Sequence, residues 1–132
     1  MKLITKETDY AVRALEFMAK RTDSVTSVSE LVKELKLHRP FLRKILQILN
    51  KKRILKSYKG RGGGFLLAVP PNRIFLVDLI EIFQGSLQLN ECLFRKRVCP
   101  NALTCVLKKR IEYIEKWMVS EFSSIDIASL LK

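Results

Sequence analysis

Residues 37–69 read LHRPFLRKILQILNKKRILKSYKGRGGGFLLAV, and this stretch decides the fold. Pro40 suits the first turn of a helix, where its missing N–H would have no intrahelical partner. Phe41, Leu42, Ile45, Leu46 and Leu49 then recur every three or four residues, an apolar stripe on one helical face. ILKSYK alternates apolar and polar residues as a strand does. GRGGG is a turn in which several residues sit at positive φ, a conformation only glycine adopts cheaply. FLLAV is a second strand, ended by Pro70 and Pro71. A basic helix running into a glycine-tipped hairpin predicts a helix followed by a β wing. Gly62, Gly63 and Gly64 do not read as a nucleotide loop, because no Lys-Ser or Lys-Thr pair follows and no helix opens there.

Working towards the N-terminus, Ser27 and Glu30 form an S-x-x-E capping box that opens a helix over SVSELVKELK. Two short helices joined by a few residues, the second of them basic, are the pattern of a helix-turn-helix. Before the loop RTDSVTS, residues Thr8 to Lys20 place Tyr10, Ala11, Ala14, Leu15 and Met18 at helical spacing, with Thr8 or Asp9 near the start. Working towards the C-terminus, LVDLIEIFQG is a short amphipathic helix closed by Gly85. From about Asn101, ALTCVLKKRIEYIEKWMVSEF reads as a long helix with Val106, Ile111, Ile114, Trp117 and Met118 on one stripe. Ser124 is expected to cap a final turn, IDIASLL. The fold class is therefore mainly α with a small β-hairpin. It divides into a winged helix-turn-helix over 1–84, a cysteine-containing loop over 85–105, and a dimerisation helix with its C-terminal segment over 106–132. The long helix carries Trp and Met outside the compact N-terminal unit and is expected to pack on a second copy of the chain.

The charge pattern narrows the function. The chain has 132 residues, 48% of them hydrophobic, and a net charge of +12. Residues 1–66 carry +10 of that charge, and Lys36 to Arg61 contain ten basic residues and no acid. Ordinary surfaces mix both signs, so this asymmetry points to a polyanion, and the two-helix unit makes it double-stranded DNA. The N-terminal end of the second helix enters the major groove in such units. Arg39, Pro40, Arg43 and Lys44 lie there, and Arg39, Arg43 and Lys44 can reach base edges or flanking phosphates. Lys59 and Arg61 sit on the wing, and Lys52, with Lys51, Arg53 and Lys56, is placed for phosphates. The lone histidine, His38, reads as a turn residue or phosphate contact. The start of the chain carries charge every few residues where a signal peptide would be apolar, and no apolar run suits a bilayer, so a cytoplasmic chain is expected. No polar catalytic set appears, which argues against an enzyme and against a small-molecule substrate.

All three cysteines, Cys92, Cys99 and Cys105, fall in one segment, NECLFRKRVCPNALTC, at C-x6-C-x5-C spacing. In a reducing compartment clustered thiols indicate metal or redox chemistry rather than disulfides. Zinc motifs pair cysteines two to four residues apart, which this spacing lacks. A redox role needs no metal, and Arg95, Lys96 and Arg97 could activate a neighbouring thiol. An iron–sulfur cluster takes thiolates and would need one further donor.

The opening MKLITKETDYAVRAL, the segment FLRKILQILNKKRILKSYKGRGGGFLL and the three-cysteine loop together resemble the IscR/NsrR family of bacterial winged-helix regulators, nearly end to end. The resemblance implies a homodimer with a long crossing helix and, commonly, an iron–sulfur cluster as sensor. Cluster-free members act through thiols or protein partners. IscR-like relatives carry a histidine three residues after the third cysteine, where this chain has Lys108. NsrR-like relatives, which sense nitric oxide, use an aspartate of the first helix supplied by the partner subunit. Asp9 matches that aspartate, and Pro100 after Cys99 matches the same subgroup. The implied ligand set is Cys92, Cys99, Cys105 and Asp9, with 4Fe-4S preferred over 2Fe-2S. The rival reading of Asp9 is an acid stabilising the positive end of its helix. The resemblance thus implies a DNA-binding regulator, simplest as a repressor, that responds to nitric oxide, redox state or iron. Some cluster-sensing relatives have a glutamate at the position of Arg43, so their base preference does not transfer.

Overall fold

The computed structural model describes residues 3–21, 24–87 and 105–131; Cys92 and Cys99 lie outside them. The first helix, α1, spans Lys6–Ala19. It begins earlier than the sequence suggests, because Thr5 is the cap: its hydroxyl accepts the Thr8 N–H at 3.3 Å. Ala11, Ala14, Leu15 and Met18 are all buried along one face, and α1 becomes the spine against which the other elements pack. The second helix, α2, spans Val28–Leu35 and is capped as expected, with Ser27 Oγ accepting the Glu30 N–H at 3.1 Å. The Glu30 carboxylate also pairs with Arg21, whose guanidinium holds it below the usual carboxylate range. A left-handed Lys36, φ 55°, closes α2. The third helix, α3, follows over Arg39–Lys51, with Pro40 in its first turn and Leu42, Ile45, Leu46 and Leu49 buried. The rings of Tyr10 and Phe41 meet edge to face at 5.0 Å and lock α1 to the start of α3.

Strands β1, Leu55–Tyr58, and β2, Gly64–Leu67, pair antiparallel, with Leu55 opposite Leu67 and Tyr58 opposite Gly64. Gly60 and Gly62 have φ of 88° and 72°, the left-handed backbone the glycine run implied. The hairpin has a third partner. Thr26 and Phe65 exchange both backbone hydrogen bonds, at 2.9 and 2.8 Å, which sews the wing to the entry of α2. Gly64 makes this approach possible, since a Cβ there would lie 2.3 Å from the Thr26 carbonyl oxygen.

A 3₁₀ turn, Pro71–Arg73, leads to α4, Leu76–Gln84, which buries Leu79 and Ile80 and ends at Gly85. Its last residue ties it to α1. Gln84 Oε1 accepts from the Thr5 N–H at 3.0 Å and from the buried Thr8 hydroxyl at 2.8 Å, while Nε2 donates to Leu3 O at 3.0 Å. The long helix, α5, spans Val106–Ser123 and packs on α4, with Met118 turned inward. Beyond it the chain returns to the winged unit. The Leu76 N–H donates to Ile125 O and the Ile127 N–H to Ile74 O, both at 2.9 Å. Ile127 is fully buried in the same core as α1 and α3. The final 3₁₀ turn, Ala128–Leu131, is capped by Asp126, whose Oδ1 accepts the Ser129 N–H at 2.7 Å. Ser124 does not perform that role; its hydroxyl donates to Glu121 O at the end of α5. Among the described residues, five helices and one hairpin in this order form a winged helix-turn-helix with a long C-terminal helix. No helix among the described residues is long and apolar enough to cross a membrane.

Candidate nucleic-acid interface

The apolar stripe of α3 faces inward, and what it leaves outside is one polar face. Arg39, Pro40, Arg43, Lys44, Gln47 and Lys51 are exposed along it. Because residues four apart stack on a helix, Arg39, Arg43, Gln47 and Lys51 form a single row. Lys52 follows at the C-terminal end. On the wing, Lys59 and Arg61 are exposed at the turn between β1 and β2. A groove lined by Gln47, Asn50, Ser57, Tyr58, Lys59 and Phe65 joins helix to wing. The exposed cations expected from sequence thus lie on the two elements this groove joins, and among the described residues none of those on α3 or the wing pairs with a carboxylate. A helix presented in this way fits the major groove of duplex DNA, about 12 Å wide.

Four residues of this surface escaped the sequence reading because they are uncharged. Gln47 stands on the exposed row of α3, and Asn50 and Tyr58 line the groove. Ser29, in the first turn of α2, accepts a hydrogen bond from the Arg39 guanidinium at 3.0 Å, which fixes the direction of that side chain. Helical periodicity would have found Gln47; the bond between Ser29 and Arg39 joins two elements and leaves no local trace.

The candidate metal ligands are more scattered. Asp9 lies in the first turn of α1 with its side chain 46% exposed, and its Oδ2 accepts from Arg13 Nε at 2.9 Å. A pair of this i,i+4 kind contributes only about 0.3–0.5 kcal/mol, so the carboxylate is available to another partner at little cost. Cys105 is half-buried as the N-cap of α5, its Sγ accepting the Lys108 N–H at 3.4 Å. The Lys108 ammonium lies 3.9 Å from Glu112 on its own helix. Among the described residues no three His, Cys, Asp or Glu side chains come together as a metal site. The expected ligands Cys92 and Cys99 lie outside those residues. Sulfur donors completed by an accessible carboxylate are chemically suited to an iron–sulfur cluster.

The opposite side of α5 is apolar and open. Val106, Leu107, Tyr113, Ile114 and Trp117 are each 47–71% exposed. At 100° per residue they fall within an arc of about 120°, contiguous with the inward-facing Met118. Of the stripe expected from sequence, only Met118 is fully turned to the chain's own core; Val106, Ile114 and Trp117 are left without cover.

Comparison with known proteins agrees with this architecture. Residues 4–132 match the Rrf2 family model, described as an iron-dependent transcriptional regulator. The chain is 32% identical over 124 residues to a putative HTH-type transcriptional regulator of Aquifex aeolicus, covering 92% of this chain and 86% of that protein. It is 30% identical over 126 residues to the HTH-type transcriptional regulator NsrR of Oceanobacillus iheyensis, covering 93% and 83%. Among solved structures, T. potens IscR superposes with a TM-score of 0.76 at 25% identity, over 99% of this chain and 86% of that one. CymR, the global cysteine regulator of B. subtilis, superposes with a TM-score of 0.80 at 22% identity, over 99% and 97%. The basic helix, the sewn-down wing and the near end-to-end match lead to one assignment: the chain belongs to the Rrf2 family of DNA-binding transcriptional regulators, which are not enzymes.

Proposed function

We propose that the chain acts as a homodimer on a double-stranded operator and that an iron–sulfur cluster, 4Fe-4S in preference to 2Fe-2S, governs its affinity. Cys92, Cys99 and Cys105 would hold the cluster together with Asp9 of the partner subunit. The observation that carries this reading is the position of Asp9: an accessible carboxylate on the helix that packs directly behind α3. When bound, the cluster would supply a centre reactive towards nitric oxide, oxidants or iron loss. The chain's own residues convert that into DNA affinity. Asp9 is one residue from Tyr10, whose ring meets that of Phe41 edge to face at the start of α3. Its helix is also tied through Thr5, Thr8 and Gln84 to the end of α4, from which the cysteine segment departs. Freeing Asp9 would therefore act on both recognition helices of a dimer. Two half-sites about 34 Å apart must be met together, so a small rotation misaligns one of them. A coupling of about 1–3 kcal/mol changes occupancy roughly five- to 150-fold. Repression relieved by damage to the cluster is the simplest output, and a cytoplasmic location suits it.

The proposed division of labour is by segment. Residues 1–84 read DNA, 85–105 sense and 106–132 dimerise, with the terminal turn returned to the core. On the interface, Arg39, Pro40, Arg43 and Lys44 meet the major groove, Lys52 a phosphate, and Lys59 and Arg61 the flanking groove or backbone.

Asp9→Ala tests the ligand set. Purified anaerobically, the wild-type chain is expected to be coloured and to contain iron, and the variant to lose absorbance or bleach faster. Equal spectra and iron contents would remove Asp9 from the site. A second reading has its own observation: Cys105 is half-buried but still reachable at the start of α5, where oxidation could act without iron. A colourless wild-type chain whose DNA binding changes with thiol oxidation would select that alternative, or control by a protein partner if oxidation has no effect.

Within the interface, Arg43→Ala is expected to lose about 1–3 kcal/mol of discrimination between operator and mismatched duplexes. Lys52→Ala should weaken binding to all duplexes alike and make its salt dependence shallower by about 0.9 units of slope per subunit, or about 1.8 per dimer. Fluorescence anisotropy against matched and scrambled duplexes measures both. The same loss of discrimination in the two variants would contradict the assignment of base and phosphate roles.

A further inference from the structure

We infer that Lys36, a residue the sequence did not single out, joins Arg53 as an anchor to the DNA backbone, and that both are kept as cations at positions where the fold favours glycine. The inference rests on the operator-binding reading above. Lys36 and Arg53 have φ of 55° and 63° and are the only non-glycine residues with positive φ among the described residues. An L-residue adopts this left-handed conformation at a cost that glycine escapes. The turns themselves require it. Lys36 ends α2 and redirects the chain towards α3. Arg53 ends the turn after α3: its N–H donates to Asn50 O and the next N–H, of Ile54, returns to Leu49 O, both at 3.0 Å.

What the side chains gain for that cost is not found among the described residues. Both residues are exposed, and neither pairs with a carboxylate among the described residues. Their placement is informative. Lys36 stands three residues before Arg39, at the leading end of α3, and Arg53 stands just past its trailing end. Arg53 lines a shallow groove with Asn50, Lys56, Ser57 and Tyr58. Asn50, Ser57 and Tyr58 also line the groove between α3 and the wing, so Arg53 extends the same surface. The two cations bracket the recognition helix, and both belong to the acid-free run from Lys36 to Arg61. The ligand such a pair fits is the phosphodiester backbone on either side of the base pairs that α3 reads. A cation at a helix C-terminus is also favoured by the helix dipole, an effect that would leave DNA affinity untouched.

The test separates the two. Lys36→Gly and Arg53→Gly remove charge and backbone cost together; Arg53→Lys keeps the charge. Each is titrated, over a range of salt, with a duplex selected by the wild-type chain from a random-sequence pool and with an unrelated duplex of equal length. Each Gly variant is expected to melt roughly 2–5 °C higher than wild type at equal protein concentration. Each should also bind both duplexes more weakly by the same factor. The slope of log K against log salt should become shallower by about 0.9 for every phosphate no longer neutralised, or about 1.8 per dimer. Arg53→Lys should keep the wild-type slope. Gly variants that melt higher but retain the wild-type slope and affinity would overturn the inference and leave the cations serving the helix ends alone. A wild-type chain that binds neither duplex would instead overturn the operator reading, and this inference with it.

Discussion

Trp117→Asp should yield a monomer that melts almost like the wild-type chain yet barely holds its operator. Trp117 is 58% exposed, so its own subunit's core does not depend on it. The same side chain sits at the centre of the open apolar arc formed with Val106, Leu107, Tyr113 and Ile114. Large aromatic residues in the middle of such patches carry much of the energy of an interface. In the proposed dimer, aspartate there would bury a charge against the facing helix of the partner, and the two subunits should dissociate at micromolar concentration. Joining two half-site readers raises apparent affinity by about 10²–10⁴, and the monomer forfeits that gain. Sedimentation velocity and operator titration on the same sample measure both effects. A variant that still sediments as a dimer would show that α5 is covered by something other than a second copy.

Gly64→Ala is expected to be the most damaging single-methyl change in the winged unit. The added Cβ would lie 2.3 Å from the Thr26 carbonyl oxygen, 2.7 Å from its carbon and 2.9 Å from Ser27 Cα, all of them backbone atoms. At a φ of 153° the new side chain would also be strained. Overpacking and backbone strain each cost about 1–3 kcal/mol, and neither can be relieved by a rotamer change. The sum is a large part of the roughly 5–15 kcal/mol that holds a domain of this size folded. We expect Tm to fall by about 10 °C or more. The Thr26 and Phe65 amides should lose their protection from hydrogen exchange together, since they donate the two bonds of one bridge. A melting temperature close to that of wild type, with both amides still protected, would refute this account of the wing.

The parts of this fold that could be read from the sequence are those governed by local rules. Ser27 and Glu30 announce the start of α2 because a cap operates within a single helical turn. Leu42, Ile45, Leu46 and Leu49 mark the buried side of α3 because helical geometry repeats. The glycine run marks the wing because only glycine adopts its backbone angles freely. What escaped is the pairing of distant residues. Gln84 reaches back to Thr5 and Thr8, 79 and 76 positions earlier. Thr26 joins the hairpin as a single bridge, and Ile127 returns to Ile74. None of these leaves a period or motif behind. Lys36 did not declare itself, and Arg53 was legible only as one phosphate-facing cation among several, since a left-handed turn held by a cation looks like any basic residue. The candidate site divides in the same way. Its cations were legible because charge and spacing suffice to find them. Ser29, Gln47, Asn50 and Tyr58 needed coordinates, and a ligand set shared between two copies, as proposed above, would not be expressed by one chain's spacing at all.

Ile127 carries a consequence for how operators are measured out. The helix α5 is pinned at both sides of its far end, by Met118 beneath it and, just beyond it, by Ile127, which is fully buried in the common core and hydrogen-bonded to Ile74. Its bearing relative to the reading head is therefore a rigid angle of the protomer. In the proposed dimer that angle, doubled by symmetry, becomes the ruler between half-sites. On that proposal, a hydrophobic side chain remote from any nucleotide would help decide which spacing of sequence the pair can straddle.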